Sequence, residues 1–225
     1  MNKPYIICHM MTSVDGRIDC KMTENLPGVN NYYSTLDSFN APSRVSGRVT
    51  AELEMSLPGR FNSTTNTPIN EESFYKVKDS TGYEIIIDTN GCLLWNDQLN
   101  EECPILVVSS EKVSKEYLSY LDRKHISWIS CGKNQVDLKR VCEILYKDFN
   151  IRRMVVVGGG HINASFLEQG LLDEISILIG AGIDGRNNMC SVFDGLKSNQ
   201  PVTKLKLKSV KQFDSGAVWI TYKLK

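Results

Sequence analysis

The chain is poor in histidine, tryptophan and proline, with three, three and seven among 225 residues, and carries no excess charge, since 26 basic side chains balance 26 acidic ones. His9, His125 and His161 stand too far apart in sequence to give metal-ligand spacing. The charge balance offers no electrostatic reason to bind nucleic acid or an anionic membrane, so neither is expected as a partner, although a local pocket for one phosphate stays compatible with it. No apolar run approaches the roughly 20 residues that span a bilayer. Met1-Asn2-Lys3-Pro4 leads at once into a strand pattern without signal-peptide layout, which makes the cytoplasm the expected location. Seven cysteines, odd in number and without a C-x-x-C pair, read as reduced thiols rather than a disulfide framework or zinc site, and no metal is expected. A Gly-x-Ser-x-Gly elbow is missing, which argues against a hydrolase. So is the His-x-Glu with Pro-Cys-x-x-Cys pairing of zinc deaminases, which excludes that chemistry at the level of motifs.

What the chain does have is a β-branched run, Val155-Val156-Val157, leading straight into Gly158-Gly159-Gly160 and a short apolar segment, His161 to Leu167. This pattern predicts a buried strand, a tight turn and a helix start. Glycines there let a phosphate approach the backbone, and the helix offers unpaired N–H groups and the positive end of its dipole. The bland alternative is that the glycines only permit tight strand–helix packing. The spacing also departs from G-x-G-x-x-G, and no acidic residue stands about 20 positions on, as a standard Rossmann site requires.

Periodicity places further elements around this turn. Tyr5 to Met11 reads as a buried first strand, followed by a turn at Ser13-Val14-Asp15-Gly16-Arg17. Residues 20 to 45 and 60 to 82 show little periodicity and are expected to be loops, with a helical stretch over Thr50 to Met55 between them. Strands are expected at Glu84–Asp88, Ile105–Val108, Ile126–Ile129, Arg153–Val157 and Glu174–Ile179. Helices follow Ser114 and carry Leu138, Val141, Cys142 and Leu145 on one stripe. The helix after the glycines should stop at Gly170. Val202–Phe213 and Ala217–Leu224 alternate around Asp214-Ser215-Gly216 as a hairpin. Strands alternating with helices give an α/β class with a mostly parallel sheet and an antiparallel C-terminal hairpin, taken as one domain over residues 1–225.

Two further segments carry candidate chemistry. Ser46-Gly47-Arg48-Val49-Thr50 offers a glycine, a guanidinium and a hydroxyl ahead of a helix, suitable for a pyrophosphate. Ser109-Ser110 with Lys112, at a strand end, could meet a ribose phosphate.

Together these motifs resemble the reductase domain of riboflavin biosynthesis, the C-terminal half of the bifunctional deaminase–reductase, in the dihydrofolate-reductase-like superfamily. The match runs from Ser13-Val14-Asp15-Gly16-Arg17-Ile18 through Gly47-Arg48-Val49-Thr50 to the glycine turn and Gly170-Leu171-Leu172-Asp173-Glu174. The resemblance implies a three-layer α/β/α fold and NADPH as cofactor. It implies a pyrophosphate held by Gly158, Gly159, Gly160, His161 and Ile162, contacts from Gly47, Arg48 and Thr50, Ser109 and Ser110 with Lys112 near the 2′-phosphate, and the nicotinamide near Met11 and Ser13. The substrate it implies is a small molecule, a ribosylamino-pyrimidinone phosphate reduced to a ribityl chain, or a related polar heterocycle. A homodimer through the C-terminal strands is also expected from the family. The chain departs from the family at Val157, where Glu usually precedes the paired glycines, and downstream of Thr50, where Ala51-Glu52-Leu53-Glu54 replaces the usual Asp and Arg pattern. Both departures fall on the expected substrate side, which keeps a non-catalytic nucleotide-binding module, or a reductase of another substrate, as the alternative.

Asp15 and Asn163 are the candidate substrate contacts. Asp15 is also the candidate for proton delivery, against the simpler role of holding its own turn through an Asx bond. No catalytic residue is assigned beyond it, because the nicotinamide carries the chemistry and the protein supplies mainly orientation and dielectric. His9, inside an apolar strand, reads as a core or interface histidine.

Overall fold

The computed structural model describes residues 2–96 and 102–225. In chain order the elements are β1 (Tyr5–Thr12), α1 (Cys20–Thr23), α2 (Val29–Asp37), β2 (Ser43–Gly47), α3 (Arg48–Glu54), β3 (Ser73–Tyr75), β4 (Glu84–Ile87), β5 (Ile105–Ser109), α4 (Lys115–Arg123), β6 (Ser127–Ser130), α5 (Leu138–Lys147), β7 (Arg153–Gly158), α6 (Gly160–Glu168), β8 (Glu174–Ile179), β9 (Leu205–Gln212) and β10 (Val218–Leu224). They fall into two compact units, one of Met1–Pro4 and Pro42–Met154, the other of Tyr5–Ala41 and Val155–Lys225.

In the first unit the strands lie in the order β3-β6-β5-β4-β2. β2, β4, β5 and β6 run parallel and β3 pairs antiparallel with β6. The parallel strands are almost wholly buried and rich in Ile and Val, as strands covered on both faces must be. α4 starts where Ser114 accepts the Tyr117 N–H at 3.1 Å, and α5 where Asp137 accepts the Arg140 N–H at 3.1 Å. Both helices bury an aliphatic or aromatic stripe, and the core around α4 joins Trp95, Tyr117, Leu121 and Trp128.

In the second unit the order is β7-β1-β8-β10-β9. β1 and β8 run parallel, while β10 is antiparallel to both β8 and β9, which is the expected C-terminal hairpin. α6 ends before Gly170, whose φ of +67° is the left-handed C-terminal position that favours glycine. The mixed α/β class, mostly parallel with antiparallel C-terminal strands, is therefore as the sequence indicates.

Two expected loops and one helix start need correction. Residues 20 to 45 contain α1, α2 and the start of β2, and residues 60 to 82 contain β3. α2, with the sequence VNNYYSTLD, buries only Thr35 and Leu36, so it presents no aliphatic stripe to read. It is held by aromatic contact instead, with Tyr32 stacked on His9 at 4.8 Å between ring centroids. The third correction is local: α3 begins at Arg48, so Arg48 and Thr50 lie on the helix and not ahead of it.

Candidate functional site

The glycine turn forms at the end of β7 in the second unit. Gly158 has φ +129°, open to glycine and strained for any side chain, and the Gly158–Gly159 peptide is cis. Gly159 is the N-cap of α6, its carbonyl accepting the Ile162 and Asn163 N–H groups at 3.0 and 3.1 Å. The N–H groups of Gly160 and His161 meet no acceptor among the described residues. Nothing lies within 4 Å of a Cβ built on Gly159, so the space in front of this helix start is open. A short α/β turn with two free donors and the positive dipole end can receive an anion.

The residues expected beside it fall as follows. Met11 turns its side chain into a core with Leu26, Leu178 and Ala217. Strand alternation points its neighbour the other way, and Met10 Cε lies 3.3 Å from where a Gly158 Cβ would stand, so Met10 underlies the turn. Val157 packs its side chain against the cluster of Ile7, Leu36, Phe39 and Val155. His161 is exposed, and its ring stands 2.5 Å from the position a Cβ on Gly195 would take. Asn163 is fully buried. Its Nδ2 donates to the Val192 carbonyl at 2.8 Å, while its Oδ1 has no partner among the described residues.

The turn after β1 is closed by its own residues. Ser13 Oγ donates to Asp15 Oδ1 at 2.6 Å and accepts the Arg17 N–H at 3.1 Å. Asp15 then accepts the N–H groups of Asp184 and Gly185 at 3.0 and 2.9 Å. The Ser13 hydroxyl, followed by these two amides, holds the Asp15 carboxyl well below the usual carboxylate range. Through these three hydrogen bonds the carboxylate holds the loop.

The partner of that turn is a strap, residues 180–195, that the sequence does not announce. Arg17 donates to the Met189 carbonyl at 2.7 Å, Ile18 N–H to the Cys190 carbonyl at 3.2 Å, and Asp194 N–H to the Gly160 carbonyl at 3.2 Å. Ser191 is pinned to Asp194 by its N–H and hydroxyl at 2.8 and 2.7 Å. The strap thus ties the Ser13–Ile18 turn to the start of α6. It opens with Gly180-Ala181-Gly182-Ile183-Asp184-Gly185, which has G-x-G-x-x-G spacing and follows a strand. No helix begins there, so the spacing is not a dinucleotide fingerprint.

The first unit holds the other candidates. Gly47 ends β2 and caps α3 without a side chain. The Arg48 guanidinium donates to Glu52 at 2.5 Å, and Arg60 lies 3.6 Å from the same carboxylate. Thr50 is half-buried on α3, and the buried Ser46 hydroxyl has no partner among the described residues. Ser109 and Ser110 are fully buried and donate to the carbonyls of Ile129 and Thr89 at 3.4 and 3.0 Å, which leaves Lys112 as the exposed member of that segment.

The family model of the RibD C-terminal domain matches residues 4–219. The chain belongs to this family. A relative from Archaeoglobus fulgidus, named a 2,5-diamino-6-ribosylamino-4(3H)-pyrimidinone 5′-phosphate reductase, is 24% identical over 203 residues, covering 86% of this chain and 87% of its own. A reductase of the same name from Methanothermobacter thermautotrophicus is 29% identical over 118 residues, a match that spans about half of each protein, 52% of this chain and 54% of the relative. Among solved structures, a pyrimidine reductase-like protein from Corynebacterium diphtheriae superposes with a TM-score of 0.73 at 15% identity, over 100% of this chain and 93% of that one. That likeness confirms the RibD reductase fold.

Proposed function

We propose that this chain is an NADPH-dependent reductase of the riboflavin pathway, acting on a ribosylamino-pyrimidinone phosphate. Membership in the RibD C-terminal domain family carries the reading, because the relatives matched over most of their length are reductases of that substrate. The open α6 turn supports it. Free N–H groups at Gly160 and His161, with open space before Gly159, fit the pyrophosphate of a dinucleotide. When bound, the reduced nicotinamide supplies the hydride of the reaction. The open-chain imine form of the ribosylamine gains hydride at carbon and a proton at nitrogen, which yields the ribityl chain. The chain's own part is to bind and orient: the glycine turn for the pyrophosphate, the Ser13–Arg17 turn and strap beside it, and in the first unit Gly47, Arg48 and Thr50 as further cofactor candidates.

Steady loss of reduced-nicotinamide absorbance with the pyrimidinone phosphate tests this reading, and binding of NADPH without turnover on that substrate would favour the non-catalytic module instead. The preference for NADPH over NADH is expected to rest on Lys112, since the Ser109 and Ser110 hydroxyls are engaged by backbone. Lys112→Ala should therefore weaken NADPH about tenfold and leave NADH unchanged, the scale of one charge-assisted contact. Equal loss for both cofactors would move the 2′-phosphate elsewhere.

The same reading includes a cytoplasmic homodimer. Seven unbridged cysteines are consistent with a reducing compartment. β9 is the last strand of its sheet, and Leu207 and Val210 on it are 55% and 57% exposed. An edge strand with exposed aliphatics is a ready pairing surface. Sedimentation should find a dimer at micromolar concentration that Leu207→Glu converts to monomer.

A further inference from the structure

The loop after β8 holds an isoleucine out into solvent by several tethers. Ile183 is 75% exposed, and Val14, whose N–H donates to the Gly182 carbonyl at 2.8 Å, is 63% exposed. Scattered exposed aliphatics are ordinary on protein surfaces, but here the backbone on either side of Ile183 is fixed. Asp184 and Gly185, which follow it, donate to the Asp15 carboxylate at 3.0 and 2.9 Å. Arg186 then bonds Asp184 at 2.5 Å and Asp19 at 2.7 Å. On the other side Gly182 is seated so closely that a Cβ there would stand 2.5 Å from Leu26 Cδ2.

The position of this pair suits a ligand. Val14 follows the carboxyl end of β1 and Ile183 that of β8, and these strands are parallel neighbours with Thr12 opposite Ile179. Open parallel sheets receive their ligands outside the carboxyl ends of the strands. An apolar side chain on a backbone fixed at that edge needs no loop ordering on contact, which is what a pocket wall needs. The ligand chemistry it fits is the face of a flat ring whose polar groups lie at its rim.

We infer that Ile183, with Val14 as its backbone neighbour, is a specificity-determining residue that packs against the face of the substrate's planar heterocycle, with Asp15 and Arg186 as positioning residues. The inference rests on the function proposed above. The test compares the unaltered chain with Ile183→Ser and Ile183→Val, measuring KM and kcat for the pyrimidinone phosphate, its binding by calorimetry, NADPH affinity and melting temperature. Ile183→Ser should raise KM about tenfold, the scale of one buried aliphatic side chain. It should leave NADPH affinity and melting unchanged, and Ile183→Val should stay within about fourfold of the parent, one methylene's worth. Turnover with KM unmoved in Ile183→Ser overturns the inference alone. Loss of a dimer in that variant also overturns it, by assigning Ile183 to contact between copies. Neither turnover nor substrate binding in the unaltered chain removes the proposed function and this inference with it.

Discussion

Gly159→Ala should cost roughly a hundredfold in NADPH affinity while leaving the fold intact, and Gly160→Ala should damage the fold itself. The two glycines are neighbours but meet different surroundings. A Cβ on Gly159 finds nothing within 4 Å, and the residue's φ of −82° suits an L side chain, so the protein accommodates the methyl group. It enters open space at the N-cap, directly before the residues whose N–H groups are free, Gly160 and His161. If a pyrophosphate sits there, the methyl group pushes it off both donors. Two hydrogen bonds to a charged group are worth about 1.5 kcal/mol each at the low end, and ~3 kcal/mol together is about a hundredfold in Kd. At Gly160 the added Cβ would stand 2.5 Å from the Ser191 carbonyl oxygen and 3.3 Å from Asp194 N. Those atoms are backbone of the strap, so the strap must shift, and overpacking of this kind costs about 1–3 kcal/mol. Calorimetry with NADPH and thermal melting separate the cases. Unchanged NADPH affinity in Gly159→Ala, with melting also unchanged, would take the cofactor away from this turn.

How far the sequence foretold this arrangement depends on what holds each element. β5, α4, α5, β7 and β8 are held by aliphatic burial at fixed period, and their residues announce it, as Leu138, Val141, Cys142 and Leu145 do along one stripe. Tight turns were legible too, because Gly16 and the glycine turn leave a compositional mark. α2 was not, since one buried aliphatic, Leu36, joins Tyr32 and Thr35 on the His9 imidazole in holding it, a set with no helical stripe. β2 escaped in part because Ser43 and Ser46, both buried, broke the hydrophobic run that a central strand usually shows. The strap was the largest omission. Its bonds join residues about 170 positions apart, such as Asp15 with Asp184, and side chain to backbone pairing at that range has no local signature. The one available clue was the Gly180 to Gly185 spacing after a strand. Side-chain direction was illegible for the same reason. The face that Met11 on β1 and Asp15 in the following turn each take depends on partners elsewhere in the chain, Leu26 and Leu178 for one and the amides of Asp184 and Gly185 for the other.

Mild acid should destabilise this protein through His9, with about 2 kcal/mol of stability lost between pH 7 and pH 5. The imidazole is fully buried between α2 and the sheet of its unit. Nδ1 lies 2.9 Å from Ser176 Oγ, and Nε2 lies 3.0 Å from Thr35 Oγ1 and 3.4 Å from the Tyr32 carbonyl. The ring stacks on Tyr32 and meets Phe39 edge-on, and Trp219 Nε1 donates to the same Ser176 hydroxyl at 2.6 Å. Burial in these surroundings pushes the His9 pKa down to about 4, against hydrogen bonds that act in the opposite sense. The sign follows from linkage. The unfolded chain takes up this proton near pH 6.5, whereas the folded chain resists it until about pH 4. Folding is therefore unpenalised above pH 6.5 and loses stability as pH falls from there towards 4, by up to roughly 3 kcal/mol. Asp15 and Glu116 do not confuse the window. Their pKa values are lowered by hydrogen bonds, from the Ser13 hydroxyl first for Asp15 and the Ser63 hydroxyl first for Glu116, so their contributions fade only below the ordinary carboxylate range. Urea unfolding at pH 7 and pH 5 measures the slope. His9→Gln keeps a hydrogen-bonding side chain but cannot titrate, so it should be less stable at pH 7 and should lose most of the difference between the two pH values. A pH dependence as steep in His9→Gln as in the parent would place the titrating group elsewhere.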